Sequence, residues 1–207
     1  MNKGINNNGF DYVDLGFSSG TLWATKNVGA LSPSESGLYF SWGDTIGYTV
    51  EQVGKGEGRK KFCWSDYKWN PSGDGQTFTK YKTTGATLDL EDDAAHAHMG
   101  GGWHMPSSTQ IKELIGNTNY TFSISDDGVK GVMFTSKKDK SKFIFIPAVG
   151  NAWNDSIDDD GRYGYIWASM LDAYFDDYGK ALCFTSRNAY IDGFDRSYGF
   201  PVRGVIG

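Results

Sequence analysis

Twenty-eight of the 207 residues are glycine and only five are proline. That glycine share is about twice the usual roughly 7%. Glycine is the residue of tight turns and close backbone approaches, and it weakens helix interiors. A long helical bundle is therefore ruled out, and a chain of short elements joined by many turns is expected.

The chain is the size of one ordinary domain, and its 39% hydrophobic content suffices for a core that removes roughly 70% of the unfolded chain's surface from water. Aromatic residues reach 15% and charged residues 22%, far from the composition of disorder, and no apolar run approaches the roughly 20 residues of a membrane span. A net charge of −5 argues against a nucleic-acid partner, because neutralising phosphates needs clustered Lys and Arg. The single basic run, residues 55–61, reads as a solvated loop. Residues 1–10 are Asn- and Gly-rich with no apolar stretch of the signal-peptide kind, so no signal peptide is expected there.

Along the chain, a polar lead over residues 1–11 precedes a single domain over residues 12–207. Residues 12–15, 21–28 and 39–43 read as extended, with one helical turn at Ser32-Pro33-Ser34-Glu35. Residues 47–85 have neither helical nor strand period and read as an irregular insertion on the surface. Ser107 and Gln110 form a capping box ahead of Ile111, Leu114 and Ile115, which share one helical face. Residues 120–125 and 129–136 flank the Asp127-Gly128 turn of a hairpin, which residues 142–147 extend. Short strands follow at 165–169, 181–185 and 200–205. A few helices followed by many short strands predict an α+β domain with a twisted antiparallel sheet.

The blocks Tyr12-Val13-Asp14-Leu15-Gly16, Ser19-Gly20-Thr21-Leu22-Trp23-Ala24-Thr25 and Asn27-Val28-Gly29-Ala30 resemble the opening of the major paralogous domain (FISUMP) family. Tyr39-Phe40-Ser41-Trp42-Gly43, Glu91-Asp92-Asp93-Ala94-Ala95 and Gly101-Gly102-Trp103-His104-Met105-Pro106-Ser107 continue the match. So do Ile146-Pro147-Ala148, Tyr165-Ile166-Trp167-Ala168-Ser169, Ala181-Leu182-Cys183-Phe184 and Gly199-Phe200-Pro201-Val202-Arg203. Lys26 and His104 depart from the Cys and Arg usual in the family. The resemblance implies a C-type-lectin-like fold, similar to the core of formylglycine-generating enzymes, with short helices packed on a twisted antiparallel sheet.

Some proteins of that fold are variable proteins of diversity-generating retroelements, in which mutated adenines turn Asn codons into many others but not into Glu, Gln, Lys, Trp or Met. The last third of the chain fits this filter: Glu ends at 113, Gln at 110, and over residues 171–198 only Lys180 falls outside the set. The expected variable region is residues 151–198, a ligand-binding surface on loops. Its candidate anchors are Tyr163, Tyr174, Phe175, Tyr178, Tyr190, Phe194 and Tyr198, because aromatic rings give large contact area with few rotors to freeze. Asn151, Asn154, Asp155, Asp172, Asp176 and Asp177 supply adaptable hydrogen bonds, as do Asn188, Asp192 and Asp195. From residue 151 onward nine Asp stand against five Lys and Arg, so neutral or basic partners are favoured. The expected partner is a protein or glycan receptor on a cell or particle, and homo-oligomerisation is compatible with avidity. A phage virion or a bacterial surface is the setting that the resemblance implies.

Other chemistries read more weakly. Trp153-Asn154-Asp155 is the tripeptide that C-type lectins place beside calcium, with Asp158, Asp159 and Asp160 behind it. The acidic-Pro-Asn partner tripeptide is absent, and as an EF-hand loop the segment puts Trp167 where Glu belongs. His96, His98 and His104 border a Gly-Gly-Gly turn and lack the tetrahedral ligand order of zinc. Cys63 and Cys183 are the only pair available for the cysteine chemistry of formylglycine-generating enzymes. No cofactor or metal is expected, and the expectation is a binding protein, with a carbohydrate-binding paralogous domain and a cysteine-dependent oxidase as successively weaker alternatives. Trp23, Trp42, Trp103 and Trp167 are assigned to the core.

Overall fold

The computed structural model describes residues 3–5, 8–54 and 59–207. Part of the polar lead, residues 1–2 and 6–7, and residues 55–58 of the basic run lie outside the described residues.

The fold is mostly β, with 37% strand and 13% helix. Strands β1 (Lys3–Ile5), β2 (Asp11–Asp14), β3 (Leu22–Ala24) and β4 (Tyr39–Phe40) open the chain. Helices α1 (Ala94–Met99) and α2 (Ser108–Asn117) follow, then β5 (Thr118–Ile124), β6 (Lys130–Ser136), β7 (Phe143–Pro147), β8 (Val149–Trp153) and β9 (Ser156–Asp160). The chain ends with β10 (Gly164–Leu171), β11 (Tyr178–Phe184), β12 (Ala189–Asp195), β13 (Phe200–Pro201) and β14 (Val205–Ile206). These form several small antiparallel sheets in the orders β1-β2-β3-β14, β5-β6-β7 and β10-β11-β12, with β4-β13 and β8-β9 as pairs.

The expected α+β, C-type-lectin-like arrangement of helices on one twisted sheet is therefore corrected: the sheets are small and separate, and the described residues hold two α-helices of 6 and 10 residues. The helix signals were real but local. Asp93 caps α1 by accepting from the His96 N–H, and Ser107 and Gln110 form their reciprocal box at α2. The turn at 32–35 closes only a Glu35 N–H to Ser32 carbonyl bond and makes no helix. Segments that read as loops became β8, β9 and β12, because their backbones find partners in one another and in β11: β8 pairs with β9, and β12 with β11.

The sheet β10-β11-β12 organises the interior. Opposed residues share a face, and the register pairs Tyr165 with Cys183 and Cys183 with Tyr190, then Ile166 with Leu182 and Leu182 with Ile191. Ile166, Ala168, Leu182 and Phe184 join a core with Trp23, Phe134 and Ile111 and Leu114 of α2. Tyr165, Trp167, Ala181 and Cys183 join a second core with Phe40, Trp42, Trp103 and Phe200. Burial on both faces explains the near-continuous apolar runs of β10 and β11. Trp23, Trp42, Trp103 and Trp167 are all fully buried, as expected. Trp42 Nε1–H donates to the Ala168 carbonyl and Trp167 Nε1–H to that of Phe40, so the two rings lock β4 onto β10.

The insertion over residues 47–85 is irregular, with two 3-10 turns, yet it is anchored rather than loose. Phe62, Tyr67 and Phe78 are buried, and the Arg196 guanidinium lies 3.8 Å from the Phe78 ring centre while donating to the carbonyls of Tyr81 and Asp176. One buried arginine thus ties the insertion to the C-terminal region.

Candidate functional site

Among the described residues strand β12 pairs only with β11, so it is the edge of this sheet. Tyr190, Asp192 and Phe194 oppose Cys183, Ala181 and Gly179 and share their face, beyond which the hairpin β8-β9 rises. Between them lies a concavity of about 230 Å³ lined by Asn151, Trp153, Asp158, Asp159, Tyr165, Phe194, Tyr198 and Phe200. Its floor is aromatic: Tyr163 stacks on Tyr165 at 6.1 Å, Tyr165 on Phe200 at 4.5 Å, and Phe194 meets both Tyr165 and Phe200 edge-on. Tyr198 leans on Phe200 and on Trp153, which is 46% exposed. Asp158 and Asp159 complete the lining with acidic side chains.

Two left-handed residues bend the hairpin beside this cleft. Gly150 has φ of 63°, and Asp159 has φ of 60°. Asp tolerates this left-handed conformation better than most side chains but still at a cost, and such strain concentrates at binding sites. The Asp159 carbonyl accepts from the Arg162 and Tyr163 N–H groups, and Gly150 N–H donates to the Tyr163 carbonyl, which fixes Tyr163 at the margin of the cleft.

A second patch is built on the loop 172–177. Asp172 is buried, and its carboxylate accepts from the backbone of Tyr174 at 2.7 Å and of Phe175 at 3.3 Å while pairing with Lys180. Arg196 holds the loop from below through the carbonyls of Asp176 and Asp177. With its backbone tied down, the loop projects Tyr174, 85% exposed, and Phe175, 57% exposed. Phe175 contacts the Tyr178 ring at 5.6 Å. Burial and then Asp177 push the Asp195 carboxyl up, and Asp195 in turn pushes up the Tyr178 phenol.

Burial pushes the Asp172 carboxyl up, but Lys180 and the two N–H donors outweigh it and hold the group below the usual carboxylate range. A carboxylate depressed in the folded state contributes stability above its unfolded value of about 3.9, and this is lost as pH falls through the folded value. Asp172→Asn is expected to lower stability at pH 7 by about 1–2 kcal/mol. In chemical denaturation the gap between variant and parent should close below about pH 4. A gap that persists in acid would show that the side chain's shape, not its charge, holds the loop.

Of the residues expected to form the surface, Asn151, Phe194 and Tyr198 meet in the cleft, Tyr163 flanks it, and Tyr190 and Asp192 share its face. Tyr174, Phe175, Asp176, Asp177, Tyr178 and Asp195 gather in the second patch. Asn151 and Asp172 are buried, and Asp172 serves as framework for its loop. Asn154 and Asp155 sit at the hairpin tip, where Asn154 exchanges backbone hydrogen bonds with Phe62. Asn188 accepts from the Thr185 hydroxyl in the β11-β12 turn, at the opposite end of β12 from Asp195 and roughly 20 Å of strand away. Residues 186–198, expected as a loop, are mostly strand β12. Trp153, Asp158, Asp159, Tyr165 and Phe200 were not among the expected contacts. Alternation around the buried Tyr165 would have flagged the last two only if the β8-β9 hairpin had been known to lie beside them.

No three of Asp155, Asp158, Asp159 and Asp160 bring ligand atoms within metal-binding distance of one another among the described residues. The histidines bond to backbone carbonyls: His96 to Trp103, His98 to Thr45 and His104 to Met105. Both cysteines are free. Cys63 is half-buried beside Ser65 at 3.1 Å, and Cys183 is buried in β11, where burial pushes its thiol up to about 11. A thiol that high is almost entirely protonated at neutral pH and a poor nucleophile. Iodoacetamide at pH 8 is expected to modify Cys63 in the folded protein and Cys183 only after denaturation, read by mass spectrometry. Equal rates at both would contradict this burial.

Comparison with family models, with curated proteins and with solved structures finds no match. Among the described residues no helix is long and apolar enough to cross a membrane.

Proposed function

We propose that this chain is a ligand-binding protein whose C-terminal region presents an exchangeable contact surface to a protein or glycan target, in keeping with its resemblance to the major paralogous domain family. The observation that carries the reading is the aromatic cleft with acidic side chains in its lining, formed by side chains from β8, β9, β10 and β12 around Trp153, Phe194 and Tyr198. Aromatic rings already packed against one another contact a partner with little further loss of freedom. The Asp158 and Asp159 carboxylates favour a basic or neutral partner.

Retroelement diversification is the finer form of the proposal. Its support is the residue set of 171–198 together with the position of its single exception, since Lys180 is the partner of buried Asp172 and so belongs to the frame. A library randomising Tyr174, Phe175, Tyr190 and Asp192 within that residue set tests the reading. Most members should stay protease-resistant, and selection against a purified basic protein should yield binders that lose affinity on Trp153→Ala. Widespread unfolding of the library, or binders indifferent to Trp153, would overturn it. A near-copy of the codons for 151–198, differing at adenines beside a reverse-transcriptase gene, would support diversification. Absence of such a copy would leave a fixed surface domain.

A further inference from the structure

A second concavity, of about 500 Å³, lies at the end of the same sheet formed by the β9-β10 and β11-β12 turns and carries the opposite charge. Lys130 at the start of β6, Arg162 in the β9-β10 turn and Arg187 in the β11-β12 turn line it, together with the rings of Phe122 and Tyr163. Arg162 is 3.6 Å from Asp159. The Lys130 ammonium and the Arg187 guanidinium have no ion pair or hydrogen bond among the described residues. Three cations from separate segments therefore converge on one hollow in a chain of net charge −5. Their backbones are fixed: Lys130 accepts from Ala148 through its carbonyl, and the Arg187 N–H donates to the Thr185 hydroxyl at 3.0 Å. Nothing in the folding of the sheet requires these charges to meet.

We infer that this hollow is a separate binding site for an acidic saccharide, a sugar bearing carboxylate or sulfate groups. The cations match the anionic groups, and Phe122 and Tyr163 offer apolar surface to a sugar ring. The volume lies within the roughly 300–1,000 Å³ of small-ligand pockets. A long polyanion fits poorly, because acidic β9, with Asp158, Asp159 and Asp160, adjoins the hollow. The hollow adjoins the aromatic cleft through Tyr163 and the Arg162–Asp159 pair, but Lys130 and Arg187 do not line the cleft, so substitutions there test this inference apart from that reading.

Calorimetric titration with trigalacturonate and with a sulfated disaccharide tests the inference, with the methyl-esterified trimer, inorganic sulfate, poly-glutamate and a single-stranded oligonucleotide as comparators. At least one acidic saccharide should bind saturably and weaken as salt rises. Lys130→Gln and Arg187→Gln should each weaken it by about fivefold or more, with the melting temperature unchanged. The neutral ester should not bind. Failure of both acidic saccharides to bind, or binding indifferent to both substitutions, overturns the inference. Sulfate alone binding as tightly as the saccharide overturns the sugar assignment, and tighter binding of poly-glutamate or the oligonucleotide assigns the hollow to that polymer instead.

Discussion

Replacing Arg203 with methionine is expected to lower the melting temperature by about 10 °C, the equivalent of roughly 3–5 kcal/mol for a chain of this size. Arg203 is fully buried and has no carboxylate partner among the described residues. Its guanidinium instead donates to the Asn27 side chain at 2.8 Å and to the carbonyls of Thr25, Phe145 and Ala24. Those groups belong to β3, the segment after it and β7, so one side chain satisfies acceptors from segments far apart in the chain. Burial pulls its pKa down to about 9, still high enough to keep the charge at neutral pH. Methionine fills much of the space but leaves four buried acceptors without a donor, and each lost partner costs about 1–3 kcal/mol before relaxation. Lysine should rescue little, because a point charge cannot reach acceptors arranged around a planar fork. A melting temperature within about 2 °C of the parent, measured by calorimetry, would mean that water replaces the guanidinium.

Gly150→Ala should do comparable damage, concentrated where the cleft is made. Gly150 combines a φ of 63° with a site where an added Cβ would lie 1.9 Å from the Asp158 carbonyl oxygen. The left-handed conformation costs a β-carbon about 1–2 kcal/mol, and the clash is with backbone, which cannot swing away. The hairpin β8-β9 must shift, and Asp158, Asp159 and the Tyr163 tether shift with it. The expected result is about 2–4 kcal/mol of lost stability and loss of binding by any partner selected on the aromatic cleft. Gly128→Ala is the matched control: its φ of 81° is equally left-handed, but no atom lies within 4 Å of the added carbon. If the two variants lose equal stability, backbone strain alone accounts for the effect and the close approach at Gly150 does not matter.

Both predictions rest on features with uneven traces in the sequence. The caps at Asp93 and Ser107, the Asp127-Gly128 hairpin turn and the four core tryptophans were legible, because each depends on neighbours within a few residues or on bulk hydrophobicity. Strand β12 was not, since Ala-Tyr-Ile-Asp-Gly-Phe-Asp has the composition of a loop until β11 supplies partners for its backbone. Misreading β8, β9 and β12 as loops is also what made the chain look more helical in balance than it is. The aromatic and acidic residues of the C-terminal third were picked out as contacts from composition, but their division into a cleft, a projecting loop and a distant turn was not.

By itself, the sequence determined that many short elements would join through glycine turns, that a tryptophan-rich core would form, and that the last third would be rich in tyrosine and aspartate. These follow from local conformational preference and from the free energy of removing apolar surface from water, which act through composition and near neighbours. Only the tertiary structure decided that Asp172 is framework, that Trp153 and Tyr165 complete a cleft with Phe194, and that Lys130, Arg162 and Arg187 share a hollow. Which face a side chain takes is set by strand register, and register is fixed by pairing between segments far apart in the chain.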